Sequence, residues 1–155
     1  MTVQAKGTAP SAKPLALRVM LIRRDHFDAI ISHAVESSPD ECCGLIGGTS
    51  DSTAKTIYPL RNVTPNPQLA YEAAPEDLFT AQRHMREQGE TLLAIYHSHP
   101  RSADPSPSET DIRLAYYPSA TYLIVGLAGE KPVIKAFRIQ EQEHTWHPVE
   151  YGIAD

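Results

Sequence analysis

The chain is short of cysteine. Cys42 and Cys43 are the only two, and they are neighbours. Adjacent cysteines close a bridge only in strained geometry, so no disulfide framework can staple this fold. A reducing compartment is the natural setting. Long apolar runs are missing as well. The longest, near "TYLIVGLA", is far too short to cross a bilayer. The opening segment "MTVQAKGTAPSAKPLAL" lacks the continuous apolar stretch of a secretory signal. Positive charge is in deficit: 14 Lys and Arg stand against 19 Asp and Glu, for a net charge of -5. That balance argues against nucleic acid or an anionic membrane as the main partner, and it permits a basic or neutral protein partner. No internal repeat and no interdomain linker is visible. The expectation is a soluble, cytoplasmic protein.

The 155 residues, 41% apolar and 21% charged, suffice for one domain with one hydrophobic core. Residues 1–14 are small, polar and Pro-containing and read as a loose tail, which leaves 15–155 as the single domain. "LALRVMLIR" (15–23) is apolar and β-branched enough for a first strand. In 25–38, Phe27, Ile30, Ile31, Ala34 and Val35 recur at helical spacing, with Asp25 as the expected cap and Pro39 as the stop. "CCGLIGG" (42–48) predicts a buried strand. "AKTIYPLRNV" (54–63) predicts another, on an edge or at a bulge because of Pro59. Pro75 starts a helix that stops at Gly89, with acids in its first turn. "TLLAIYHSH" (91–99) is a strand, and "SETDIRLAYYP" (108–118) a short helix closed by Pro118. "ATYLIVGLA" and "KPVIKAFRIQ" form a hairpin around "GEK". A last strand near "TWHPVEY" closes the sheet. The class is α+β, or α/β by a looser count.

The chemistry concentrates in "YHSHPRSADPSPSETDI" (96–112). His97 and His99 lie two apart at the end of a strand, so their imidazoles share one face and can meet one ion. Asp111 can supply a third ligand if the proline loop folds back. Two histidines and a carboxylate leave a fourth zinc position open, the arrangement of a hydrolytic site. A blander account exists for the same residues. "SETD" is a capping box, with Ser108 at the N-cap and Asp111 where Glu is more usual, worth about 1 kcal/mol without any metal. Cap and open site are compatible for Ser108. For Asp111 they compete, its carboxylate turning either to backbone or to metal.

A hydrolytic site also needs a general base. Glu41, just before the buried strand, is one candidate, and Asp40 beside it is equally acidic. Either also reads as a solvated acid at a turn, and local chemistry does not choose. His26, His33 and His84 fall on helices and suit surface or half-buried roles. His144 and His147 are three apart, which on a strand puts them on opposite faces. Cys42 and Cys43 suit small buried positions better than ligation.

Taken together, Glu41 before "CCG", then His97-Ser98-His99-Pro100, then Ser108-Glu109-Thr110-Asp111, resemble the JAMM (MPN+) metalloprotease pattern. The likeness spans about 17–140. It implies His97, His99 and Asp111 as ligands of one Zn²⁺, Glu41 rather than Asp40 as the base acting on the attacking water, and Ser108 as a hydrogen-bond donor to the oxyanion. It also implies a mixed, mostly antiparallel sheet flanked by helices, similar to cytidine deaminase architecture. The implied substrate is an amide or isopeptide bond after the C-terminal Gly-Gly of a ubiquitin-like protein. Short prokaryotic members resemble this chain most, and they release cysteine or another amine from a sulfur-carrier protein. The substrate tail would lie as an added strand beside the site. One departure is visible: Pro100 to Pro107 makes eight residues where the family has seven, which puts the placing of Ser108 in question.

The main alternative is a non-catalytic MPN scaffold that binds proteins, but such relatives lack the ligands kept here. A binuclear H-x-H-x-D-H site fails because Arg101 occupies the Asp position. A barrel hydrolase needs a longer chain, and a zinc deaminase needs H-x-E and P-C-x-x-C, both absent. The oligomeric state stays open, a homodimer being one form the sequence allows.

Overall fold

The computed structural model describes residues 19–155. The expected tail at 1–14, and the start of the strand expected from 15, lie outside the described residues. The elements run β1 (Met20–Arg23), α1 (Arg24–Ser37), β2 (Cys43–Gly48), β3 (Ala54–Leu60), α2 (Pro75–Gln88), β4 (Thr91–His99), α3 (Glu109–Arg113), β5 (Thr121–Gly126), β6 (Val133–Gln140), β7 (Thr145–Val149) and β8 (Tyr151–Ala154). Six strands form a mixed sheet in the order β3-β2-β4-β5-β6-β7, and β1 pairs with β8 in a small parallel sheet. Every neighbouring pair in the large sheet is antiparallel except β4–β5. This is the α+β architecture expected.

Both faces of the sheet are covered, so its central strands are apolar throughout. All six residues of β2 and all six of β5 are buried. On one face Ile22, Ile30, Ala34, Ile46, Tyr96 and Leu123 pack under α1. On the other, Leu45, Ala81, Met85, Ile95, Ile112 and Ile124 pack under α2 and α3. Gly44 permits this density, since a Cβ there would lie 2.2 Å from the Tyr96 ring. Pro75 opens α2 as expected, and Gly89 ends it in the left-handed conformation (φ 69°) that glycine adopts without strain. β3 is an edge strand, consistent with Pro59.

Five expectations need correction. Asp25 does not cap α1: Arg23 holds the N-cap position with no side-chain cap bond, and the Asp25 carboxylate instead pairs with the Arg23 guanidinium at 2.5 Å. The third strand stops at Leu60, because the Asn62 side chain takes over the hydrogen bonding of the next segment. The helix expected to reach Pro118 ends at Arg113, where the chain turns toward β5. The closing strand is really two. β7 extends the large sheet, while β8 turns away to pair with β1. His144 precedes β7 at a positive φ of 58°, so the alternation argument for His144 and His147 does not apply. His144 faces Glu109 instead.

The β4–β5 pair places the site. Parallel neighbours cannot be joined by a tight hairpin. The crossover therefore carries residues 100–120 over the C-terminal end of β4, and α3 lies within it.

Candidate metal centre

His97 and His99 end β4 on the face that Ile95 shares with α2 and α3. The crossover returns Asp111 to them. His97 Nε2, His99 Nε2 and Asp111 Oδ2 form a nearly equilateral triangle, with edges of 3.2, 3.1 and 3.1 Å. Tetrahedral zinc with bonds near 2.0 Å separates its ligand atoms by about 3.3 Å. The three donors thus fit one ion with little movement. His97 is fully buried and its Nδ1 has no partner, so Nε2 is the nitrogen turned to the cluster.

Asp111 is held from two sides. Its Oδ2 accepts the Ser108 amide at 2.9 Å, and the Asp111 amide donates to Ser108 Oγ at 3.0 Å. Both bonds of the capping box are therefore present. The competition foreseen for Asp111 does not arise, because the oxygen that accepts the Ser108 amide also faces the two histidines. Burial works against the Asp111 anion, yet His97 and His99 hold its carboxyl far below the usual range. Desolvation works against protonation of His99, but Asp111 and Glu41 raise its pKa on balance.

Glu41 approaches from just before the start of β2. It is 7% exposed, and its Oε1 is buried without a hydrogen-bond partner. A solvated acid at a turn would show neither feature. Ligating atoms of Glu41, His97 and His99 all lie within 4.8 Å of one another, a separation that one water can bridge. Desolvation raises the Glu41 pKa, with the two histidines opposing. Asp40, its equal in sequence, is half-buried and is not part of this cluster.

Three supporting residues carried no sequence signal strong enough to single them out. Ser98, between the histidines, points to the opposite face, where its Oγ accepts the Cys42 amide at 2.8 Å. Asn62 donates to the carbonyls of Glu41 and Ala70 and accepts from the amides of Thr64 and Glu72. It thereby anchors the loop that carries Tyr71. The Tyr71 ring stacks on His97 at 4.6 Å with 29° between planes. Asn62 and Tyr71 sit in a segment without periodicity, and only alternation hinted that Ser98 faces away from its neighbours.

The eight-residue loop is tied down. Ser102 donates to His99 O and accepts from Ala128, each at 3.1 Å. Pro105 is buried against Gly126, where an added Cβ would lie 2.7 Å from the proline ring. Asp104 pairs with Lys135. The additional residue is absorbed without loss of the Ser108 cap.

Two cavities flank the cluster. One of about 280 Å³ is lined by Glu41, Gln68, Leu69, His99, Arg101 and Ser108, among others. The other, about 480 Å³, is mainly apolar and includes Leu45, Ile95, Tyr71, Leu114, Tyr116 and Tyr117. Cys42 and Cys43 are buried free thiols beside the site, and desolvation pushes their pKa values to about 11 and about 12, as suits small core residues.

This mixed-sheet α+β domain gathers two histidines and a carboxylate at a strand end, opposite a buried glutamate, a donor set suited to a metal ion. Residues 23–140 match the family described as prokaryotic homologs of the JAB domain, and the chain belongs to that family. It is 40% identical over 110 residues to a desampylase of Haloferax volcanii, covering 68% of this chain and 78% of that one. It is 32% identical over 133 residues to the CysO-cysteine peptidase of Mycobacterium tuberculosis, covering 84% and 90%. Among solved structures, a Desulfitobacterium hafniense protein superposes with a TM-score of 0.77 at 33% identity, covering 88% and 94%.

Proposed function

We propose that this chain is a zinc-dependent peptidase. It hydrolyses the amide bond after the C-terminal Gly-Gly of a ubiquitin-like sulfur-carrier protein and releases cysteine or another amine. The observation that carries the reading is the buried, unpartnered Glu41 carboxylate facing the His97–His99–Asp111 triangle. The curated relatives named above, a desampylase and a CysO-cysteine peptidase, support the substrate class.

His97, His99 and Asp111 would hold one Zn²⁺, which when bound acidifies water and polarises the scissile carbonyl. Glu41 takes the proton of the attacking water, its raised pKa making it a stronger base than an exposed carboxylate. It then returns that proton to the leaving amine. Ser108 Oγ accepts the Asp111 amide and keeps its own hydrogen free to donate to the oxyanion. The apolar cavity beside Tyr71 suits the extended tail of the carrier. In this reading 15–155 act as one catalytic domain, and the buried free thiols suit a cytoplasmic setting.

The test is direct. The purified protein should carry about one zinc per chain. It should cleave a ubiquitin-like protein extended past Gly-Gly by cysteine. Glu41→Gln should retain zinc but lose at least about 10²-fold in kcat. Metal-free protein, or unchanged cleavage in that variant, would point to a binding scaffold instead.

A further inference from the structure

We infer that Arg101 binds the α-carboxylate of the leaving group, so that the substrate is a single amino acid joined through its amine to the carrier's C-terminus, rather than a protein lysine. This assignment rests on the peptidase reading above.

The two cavities differ in charge. Around the apolar one the only charged lining residue among those described is Glu72, which repels a carboxylate. The smaller one shares Glu41, His99 and Ser108 with the reacting centre, and among the described residues Arg101 is its only lysine or arginine. A leaving amino acid carries its carboxylate carbon about 2.5 Å from the scissile nitrogen, as standard bond lengths dictate. That anion arrives beside the Glu41 carboxylate, and a guanidinium lining the same cavity offsets the repulsion between them. A lysine leaving group brings an alkyl chain and no such charge.

Arg101 is built to serve. Its backbone sits in the turn His99–Ser102, closed by Ser102 N–H donating to His99 O at 3.1 Å. Pro100 occupies the second position of that turn, where a fixed φ is favoured. The base of the side chain is thus rigid and adjoins a candidate metal ligand. Its head is free: among the described residues no hydrogen bond or ion pair engages Arg101. Arg23 and Arg61, by contrast, are occupied by Asp25 and Asp77. A planar guanidinium receives a carboxylate through two parallel hydrogen bonds. The reaction remains a simple hydrolysis. Water oxygen joins the glycine carbonyl carbon, the carbon–nitrogen bond breaks, and the amine leaves with a proton.

The zinc-loaded protein should be given a ubiquitin-like sulfur-carrier protein ending Gly-Gly-Cys, once with a free C-terminal carboxylate and once as the C-terminal amide. Wild type should favour the acid by about 10-fold or more in kcat/KM, the scale of a charge-assisted hydrogen bond. Arg101→Gln should abolish that preference, chiefly through KM, and Arg101→Lys should restore part of it. Equal cleavage of acid and amide by wild type would overturn the assignment, as would an unchanged acid-to-amide ratio in Arg101→Gln. Failure to cleave either substrate would overturn the peptidase reading, and this assignment with it.

Discussion

The hydroxyl of Ser98 accepts the backbone amide of Cys42 at 2.8 Å, and the Ser98 amide donates back to the Cys42 carbonyl at 3.2 Å. Cys42 directly follows Glu41, and Ser98 lies between the two histidines. The pair therefore fixes the distance between the proposed base and two of the proposed ligands.

Ser98→Ala leaves a buried amide without its acceptor, which costs about 1–3 kcal/mol. A domain of this size should then lose several degrees in Tm, at about 2–4 °C per kcal/mol. Activity should fall further than the unfolded fraction explains, because Cys42, next to Glu41, loses one of its two bonds to Ser98 of β4. A Tm within one degree of wild type would show that the bond carries nothing.

Ser108 has two roles in this reading, and two variants separate them. Ser108→Ala should lose about 10²–10³-fold in kcat through the missing oxyanion donor, and about 0.5–2 kcal/mol of stability through the missing cap. Ser108→Asn keeps a cap acceptor and should recover stability without recovering the rate. Parallel recovery of both would argue that Ser108 acts only as a cap. Zinc content should stay near one per chain in each variant.

Tyr71 covers one face of the His97 ring. Tyr71→Phe retains the stack and should bind zinc as wild type does. Tyr71→Ala removes an aromatic pair worth about 0.5–1.5 kcal/mol and frees the imidazole to turn. Zinc should then be lost to a chelator at lower concentration, as read by competition titration. Equal retention in the two variants would remove Tyr71 from the site.

His33, half-buried on α1, places Nδ1 2.7 Å from the Tyr96 hydroxyl. Burial lowers its pKa below 6.5, with Glu36 opposing. The unfolded chain therefore takes up the proton first as pH falls. The stability from this site is complete above about pH 6.5 and is lost as pH drops toward the folded value, at no more than about 1.4 kcal/mol per pH unit. Between about pH 7.5 and 5.5, Tm should fall more steeply in wild type than in His33→Gln. Identical slopes would exclude this histidine as a source of acid sensitivity.

Most elements were legible because their signals are local. Apolar periodicity marked α1, Pro75 and Gly89 bracketed α2, and unbroken apolar runs marked β2 and β5. The misjudged places are those where long-range packing outvotes local preference. Asp25 gave way to an arginine pairing, α3 was cut short by the return to β5, and the C-terminal strand divided between two sheets. Periodicity carries no record of such partners. The shared face of His97 and His99 was readable from the alternation of a strand. The Ser108–Asp111 capping box was readable from its spacing.

By itself the sequence determined which groups are present and how neighbours along one element are aimed, since strand and helix periods are properties of the backbone. Only the tertiary structure decided that Glu41, 56 residues from His97, loses its solvent and faces the histidines. It also decided that one oxygen of Asp111 serves both cap and cluster, and that Asn62 and Tyr71 brace the site. Those facts depend on desolvation and on contacts made across the sheet, and both exist only once β2, β4 and the crossover have packed together.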